Sequence, residues 1–203
     1  MLFDGLFKGS PKSAAVDKDG VVDVGVAHSL HGSAVLRGNV YSGATAATGV
    51  APGTALGTTG AYTLVNPLGS GVYGVVLQGG MGYVSGTLGA GFVSWNATVD
   101  PQLALPTGTA ITEINLLVGG RRSGGELQAL TTSTIVAPVI IRPAFSLDAS
   151  LASTAGIGGV PPVDHVNGSI VVAPGASITL HGTSAAGATP LVVFGTIWEE
   201  VAI

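Results

Sequence analysis

Phe92-Val93-Ser94-Trp95-Asn96-Ala97-Thr98-Val99 alternates apolar and polar residues with a period of two. Successive side chains on an extended chain point to opposite faces. Val93, Trp95, Ala97 and Val99 should therefore face a core, and Ser94, Asn96 and Thr98 water or an interface. Asp100-Pro101 then ends the strand, because proline cannot donate to a ladder. Ser177 to His181 repeats the pattern, with Ile178 and Leu180 inward and His181 outward. Pro174-Gly175 before it is a turn pair.

Working outward, other strands fall into place. Leu191 to Val201 reads as a long final strand carrying Phe194 and Trp198 as core or interface anchors. Tyr62 to Val65 and Val72 to Leu77 are shorter. Ala110 to Val118 and Glu126 to Val136 flank a Gly/Arg loop and read as a hairpin. Val139 to Leu147 holds Pro143, which marks an edge or a bulge. Gly168 to Val172 follows an Asn167-Gly168 turn signal. The total is about eight to ten short strands punctuated by turns, the signature of a sandwich or barrel. Few stretches lack Gly or Pro, and helix formers are scarce, so no long amphipathic helix is expected.

The composition narrows the function. Charged residues make up 9% of the 203 residues, against about 25% in an ordinary soluble domain. Hydrophobic residues reach 46%, enough to build a core. So few charges would leave an isolated monomer poorly soluble. Apolar, charge-depleted surface is what obligate interfaces look like. The chain reads as an assembly-forming structural protein and not an enzyme. A formal charge of −4 without a basic cluster argues against nucleic-acid binding. The absence of cysteine removes disulfides and thiolate metal sites. The first eight residues do not read as a signal peptide. Gly71 to Trp95 is long enough to span a bilayer but holds eight glycines and almost no Leu or Ile, so no membrane helix is expected.

Residues 1–23 hold all three lysines and four of the eleven acids. Residues 42–60 form an Ala/Thr/Gly tract. The organisation expected is an N-terminal arm and linker over 1–57, then a β-sandwich over 58–203. Phe3 and Phe7 are the arm's apolar anchors and its candidate partner-binding residues.

No motif carries chemistry. Gly69-Ser70-Gly71-Val72-Tyr73-Gly74 fits G-x-G-x-x-G, but strand follows it and the next acid is Asp100, so a glycine turn is the better reading. Asp17-Lys18-Asp19 begins like a calcium loop, yet Val21 and His28 occupy positions where ligands would stand. His28, His31, His165 and His181 form no recognisable metal or catalytic set, and no G-x-S-x-G elbow occurs. Glu199 and Glu200 should point to opposite faces of a strand, with one of them pairing with Arg37 or Arg142 across a subunit contact. No cofactor, metal or small-molecule substrate is expected.

Tyr62-Thr63-Leu64-Val65-Asn66-Pro67-Leu68-Gly69-Ser70-Gly71 resembles a turn of small tailed-phage virion proteins, in which Asn66, Pro67, Gly69 and Gly71 build a tight corner. Pro174 to Leu180 followed by Leu191 to Val201 resembles the closing strands of viral jelly-roll proteins. The resemblance covers roughly residues 60–203. It implies an antiparallel jelly roll, a homotrimer, and a place on a bacteriophage particle. The function it implies is capsid decoration or a minor capsid role, with the major capsid protein or other virion proteins as partners. The alternative is a tail fibre, spike or adaptor subunit that binds a host glycan or another tail protein.

Overall fold

The computed structural model describes residues 15–16, 22–23, 31–87, 89–98, 105–119, 124–147, 162–185 and 189–203. The chain divides into two compact units, Met1–Ser33 and Ala34–Ile203. In the first, β1 (Ala15–Val16) pairs antiparallel with β2 (Val22–Asp23).

The second unit is a sandwich of two antiparallel sheets. One sheet has the order β11 (Val163–Val172), β5 (Val72–Ser85), β13 (Leu191–Ala202), β3 (Val40–Ala44), β8 (Glu113–Asn115). The other has β10 (Pro138–Leu147), β6 (Gly91–Thr98), β12 (Ala176–Ser184), β4 (Thr59–Asn66), β9 (Gln128–Thr134), β7 (Thr107–Ala110). Eight of these strands pair as a doubled-back ribbon: β3 with β13, β4 with β12, β5 with β11 and β6 with β10. That ribbon, rolled so that alternate pairs join opposite sheets, is the jelly roll. Strands β7, β8 and β9 are inserted at the fold-back between β6 and β10, and they widen both sheets on one side.

Strand β3 lies inside the span that the sequence assigned to arm and linker. Its pairing with β13 explains the difference: Tyr41 lies opposite Trp198 and the two rings stack at 6.1 Å. A β-propensity reading of an Ala/Thr/Gly tract does not see a partner that lies over 150 residues away in the chain.

The core joins Tyr62, Leu64, Trp95, Ile178 and Leu180 of one sheet to Val76, Met81, Phe194 and Trp198 of the other. The alternation read around Trp95 holds on the inner face, where Val93 and Trp95 are fully buried. On the outer face Ser94 and Asn96 are also buried, as are Thr63, Thr179 and His181, so of the water or interface expected for that face, water does not reach these positions. Thr63 bridges Ser133 at 2.5 Å and Thr179 at 3.0 Å there, which satisfies hydroxyls that would otherwise be costly to bury.

Large rings fit because glycines face them. A Cβ on Gly79 would collide with the Trp95 indole, and one on Gly182 would press on the Phe194 ring. Part of the chain's glycine is therefore packing space in strands and not turn punctuation.

Outside the five-stranded sheet, helix α1 (Gly32–Leu36) sets Ala34 and Val35 against a second cluster of Val40, Val75, Leu77, Leu116 and Ile197. Leu77 reaches it because a register shift opposite Ile197 and Trp198 leaves it extra. Arg37 beside this helix meets Glu199 at 3.8 Å. The pair expected across a subunit contact thus closes within one chain.

Two local readings change. Segments Ala110–Val118 and Glu126–Val136 do not form a hairpin: β8 pairs with β3, while β9 pairs with β4 and β7 in the other sheet. The loop between β8 and β9 crosses from sheet to sheet. Asn167-Gly168 does not precede a strand; both residues sit at positive φ in an irregularity inside β11, between His165 and Ile170. Pro143 does mark an edge strand with bulges, as β10 pairs only with β6 among the described strands and shifts register on either side of it.

Candidate functional site

The residues that sequence reading singled out fall in separate places. Phe3 and Phe7 lie outside the described residues, as do His28, Asp100 and the Arg121-Arg122 pair. Phe194 and Trp198 are fully buried and are core residues of the sandwich, with no surface to offer an interface.

The Asn66 corner is structural. Asn66 ends β4 in one sheet, and its side-chain amide donates to Val72 O (2.8 Å) and Val172 O (2.9 Å), at the ends of β5 and β11 in the other. The amide therefore ties the sheets together at one end of the sandwich, rather than capping its own turn. Gly69 and Gly71 sit at φ +84° and +75°, and a Cβ at either would meet nothing within 4 Å. Left-handed backbone, not close approach, is what requires glycine there. The G-x-G-x-x-G match is a corner between two strands of opposite sheets.

Two further polar clasps join the sheets, and neither was read from sequence. Asp164 on edge strand β11 accepts from Trp95 Nε1 at 2.8 Å and from Arg142 Nε and a terminal guanidinium nitrogen at 3.0 and 2.8 Å. The bond to Asp164 raises the Arg142 pKa further. On the opposite side Glu200 of β13 accepts from the Glu126 and Leu127 amides, each at 3.0 Å. Beside it Glu113 of β8 accepts from Ala129 N at 2.9 Å and Gly125 N at 3.3 Å. Two carboxylates thus hold four amides of the segment that enters β9. Burial, and to a lesser degree the nearby Glu200 charge, pushes the Glu113 pKa up against the effect of those bonds.

The carboxylates are consumed by backbone amides, tryptophan and arginine. Among the described residues no group of three His, Asp or Glu could hold a metal ion, and no helix is long and apolar enough to cross a membrane.

The surface is where the sandwich departs from an ordinary soluble domain. Edge strand β10 and the bend that leads into it expose Val136, Val139, Ile140 and Ile141, each by 41–52%. Ile141 and Val171 line a small cavity of about 130 Å³ at the same side. At one end, Tyr73 and Val201 are cross-strand neighbours and both exposed, with Leu68 and Ile203 exposed further out. Of the aromatic residues a sugar would need, Trp95, Trp198, Tyr41 and Tyr62 are fully buried. Tyr83 is half-buried with its hydroxyl on Gly86 O, which leaves Tyr73 and Phe92 as exposed aromatic rings among the described residues.

No family model, curated protein or solved structure matches the chain.

Proposed function

We propose that this chain is a bacteriophage virion structural protein that decorates or cements the capsid as a homo-oligomer. The observation that carries the reading is the run of exposed apolar side chains at Val136, Val139, Ile140 and Ile141 along the β10 edge, set on a jelly roll whose carboxylates Asp164, Glu113 and Glu200 serve to hold its sheets together. Exposed apolar surface of this kind marks an interaction site. The low charge of the whole chain fits burial against neighbouring subunits. A jelly roll alone does not choose a function, since many unrelated activities share it; the phage assignment rests on the resemblance of the Asn66 corner and the closing strands. The tail-fibre alternative has less support, because a glycan site needs exposed aromatic platforms and most of the candidates are core.

In this reading the N-terminal segment, with Phe3 and Phe7, contacts the shell and the β domain forms the oligomer. Binding driven by apolar burial should change little with salt. The test is deletion of residues 1–30, which leaves α1 and β3 intact. The shortened protein should stay folded and oligomeric but no longer bind capsids assembled without it. Full decoration by the shortened protein would sink the arm's role. A failure of the intact protein to bind any capsid, with binding to host cells instead, would favour the fibre alternative.

A further inference from the structure

Between β3 and β4 the chain crosses the end of the sandwich as an irregular strap, Val50 to Thr58. Two backbone ties hold its first half. Val50 exchanges hydrogen bonds with Val192 of the five-stranded sheet at 2.7 and 2.9 Å. Gly53 bridges Thr183 of the six-stranded sheet, its carbonyl accepting from Ser184 N at 2.8 Å. Beyond Gly53 the strap exposes Thr54, Ala55 and Thr58. It borders a cavity of about 320 Å³ lined by Val50, Ala51 and Gly53 on its own side and by Thr59, Gly60 and Thr131 on the sheet side. At its far end Thr58 O accepts from Ile135 N at 2.7 Å, so among the described residues the stretch between Gly53 and Thr58, which carries Ala55, has backbone ties only at its two ends and unfilled space beside it.

His181 lies under this strap. It is 2% exposed and projects from β12, opposite Ser94 of β6. A Cβ on Gly53 would stand 3.4 Å from its Nε2. Among the described residues the imidazole makes one hydrogen bond, from Nε2 to Ala55 O at 3.4 Å, and Nδ1 has no hydrogen-bond partner. The strap, β4, β6 and β12 carry no Asp, Glu, Lys or Arg, so none of these elements sets a charge against the ring. Ser94 stands across the ladder from it, and the strap backbone at Gly53 and Ala55 lies over its Nε2.

We propose that the Val50–Thr58 strap is an acid-released latch and that His181 is its sensor. The neutral ring fits the closed site, with Nε2–H donating to Ala55 O. Protonation would place a second N–H and a positive charge at Nδ1, where no acceptor waits. Lifting the strap brings water to both. Burial already holds the His181 pKa below the ordinary histidine value. The open form therefore takes up the proton more readily than the closed one. The closed form is favoured above the ordinary value of about 6.5 and loses ground as pH falls below it. The open population should rise by up to about tenfold per pH unit until the closed-state pKa is reached. Opening would expose the ends of β4 and β12 and let solvent into the cavity beside the strap, while the β5·β13 pairing stays shut.

The experiment is amide hydrogen exchange on the full chain at pH 7.5, 6.5 and 5.5, corrected for intrinsic exchange. Protection of the Val50 and Ser184 amides should fall several-fold toward pH 5.5, while amides in the middle of β13 keep theirs. His181→Gln retains a donor for Ala55 O and stays neutral at every pH, so its protection should not depend on pH. Flat protection in the native protein, or an unchanged pH response in H181Q, overturns the proposal. If H181Q does not fold, the ring proton resonance of His181 in the native protein decides. A midpoint below the ordinary histidine value, coincident with the loss of Ser184 protection, supports the latch. Titration at the ordinary value, or without change at Ser184, overturns it.

Discussion

Trp95 and Asp164 are joined by a 2.8 Å hydrogen bond that runs from the strand next to the edge of one sheet to the edge strand of the other. Trp95 is fully buried and Asp164 nearly so, and the second face of the carboxylate is closed by Arg142. The Arg142 pair ties the β10 edge to the β11 edge that the Trp95 bond anchors, and β10 is the strand whose exposed side chains the functional reading depends on.

Asp164→Ala should cost about 2–4 kcal/mol, because it strands a buried indole N–H and leaves Arg142 without its partner. Urea unfolding followed by tryptophan fluorescence would measure it. Arg142→Ala should cost less, since the guanidinium is partly exposed and Trp95 keeps its acceptor. Equal losses in the two variants would contradict this ranking.

Asn66→Asp should be worse than Asn66→Ala. Alanine loses two hydrogen bonds and leaves Val72 O and Val172 O unpaired, a loss of about 2–3 kcal/mol. Aspartate points carboxylate oxygens at those same carbonyls. Thermal unfolding above pH 6 should order the melting temperatures as Asn, Ala, Asp, from highest to lowest.

Gly125→Ala and Gly69→Ala separate two uses of glycine. At Gly125 a Cβ would run into the Glu200 carboxylate and break the grip on the β9 entry. At Gly69 the space is open, and the cost is that of a left-handed residue, about 1 kcal/mol. Denaturant midpoints should fall clearly further for Gly125→Ala than for Gly69→Ala.

Glu113 gives the fold a pH response in the acid range. Its pKa is raised in the folded state, so the fold binds this proton at a higher pH than the unfolded chain does. Stability from this group therefore grows as pH falls from the folded-state pKa towards the ordinary carboxylate range, and is lost as pH rises through that pKa. Glu113→Gln should remove that slope. Melting temperatures of both proteins, taken from pH 7 down to 4.5, should converge or diverge only within this window. A constant offset would mean that the carboxyl does not titrate there.

Much of the sandwich was legible in local pattern. The period of two around Trp95 and Leu180, the turn pair at Pro174-Gly175 and the bulge at Pro143 depend on neighbours within a few residues, and they appear where sequence placed them. The clasps were not legible. Asp164 and Trp95 are 69 positions apart, and Glu200 and Leu127 are 73 apart. Nothing local marks a carboxylate as the acceptor for a distant amide. His181 was rightly set on the outer side of its strand, but its burial depends on the strap and on a face that closes.

By itself the sequence determined an all-β chain, poor in charge and short of helix formers, because composition and alternation act within a single strand's length. Only the tertiary structure decided the jelly-roll order, the place of β3 inside it, and the insertion of β7 to β9 at the fold-back. Those features rest on pairings between strands remote in the chain, and the free energy of such pairings comes from burial that exists only once both partners are in place.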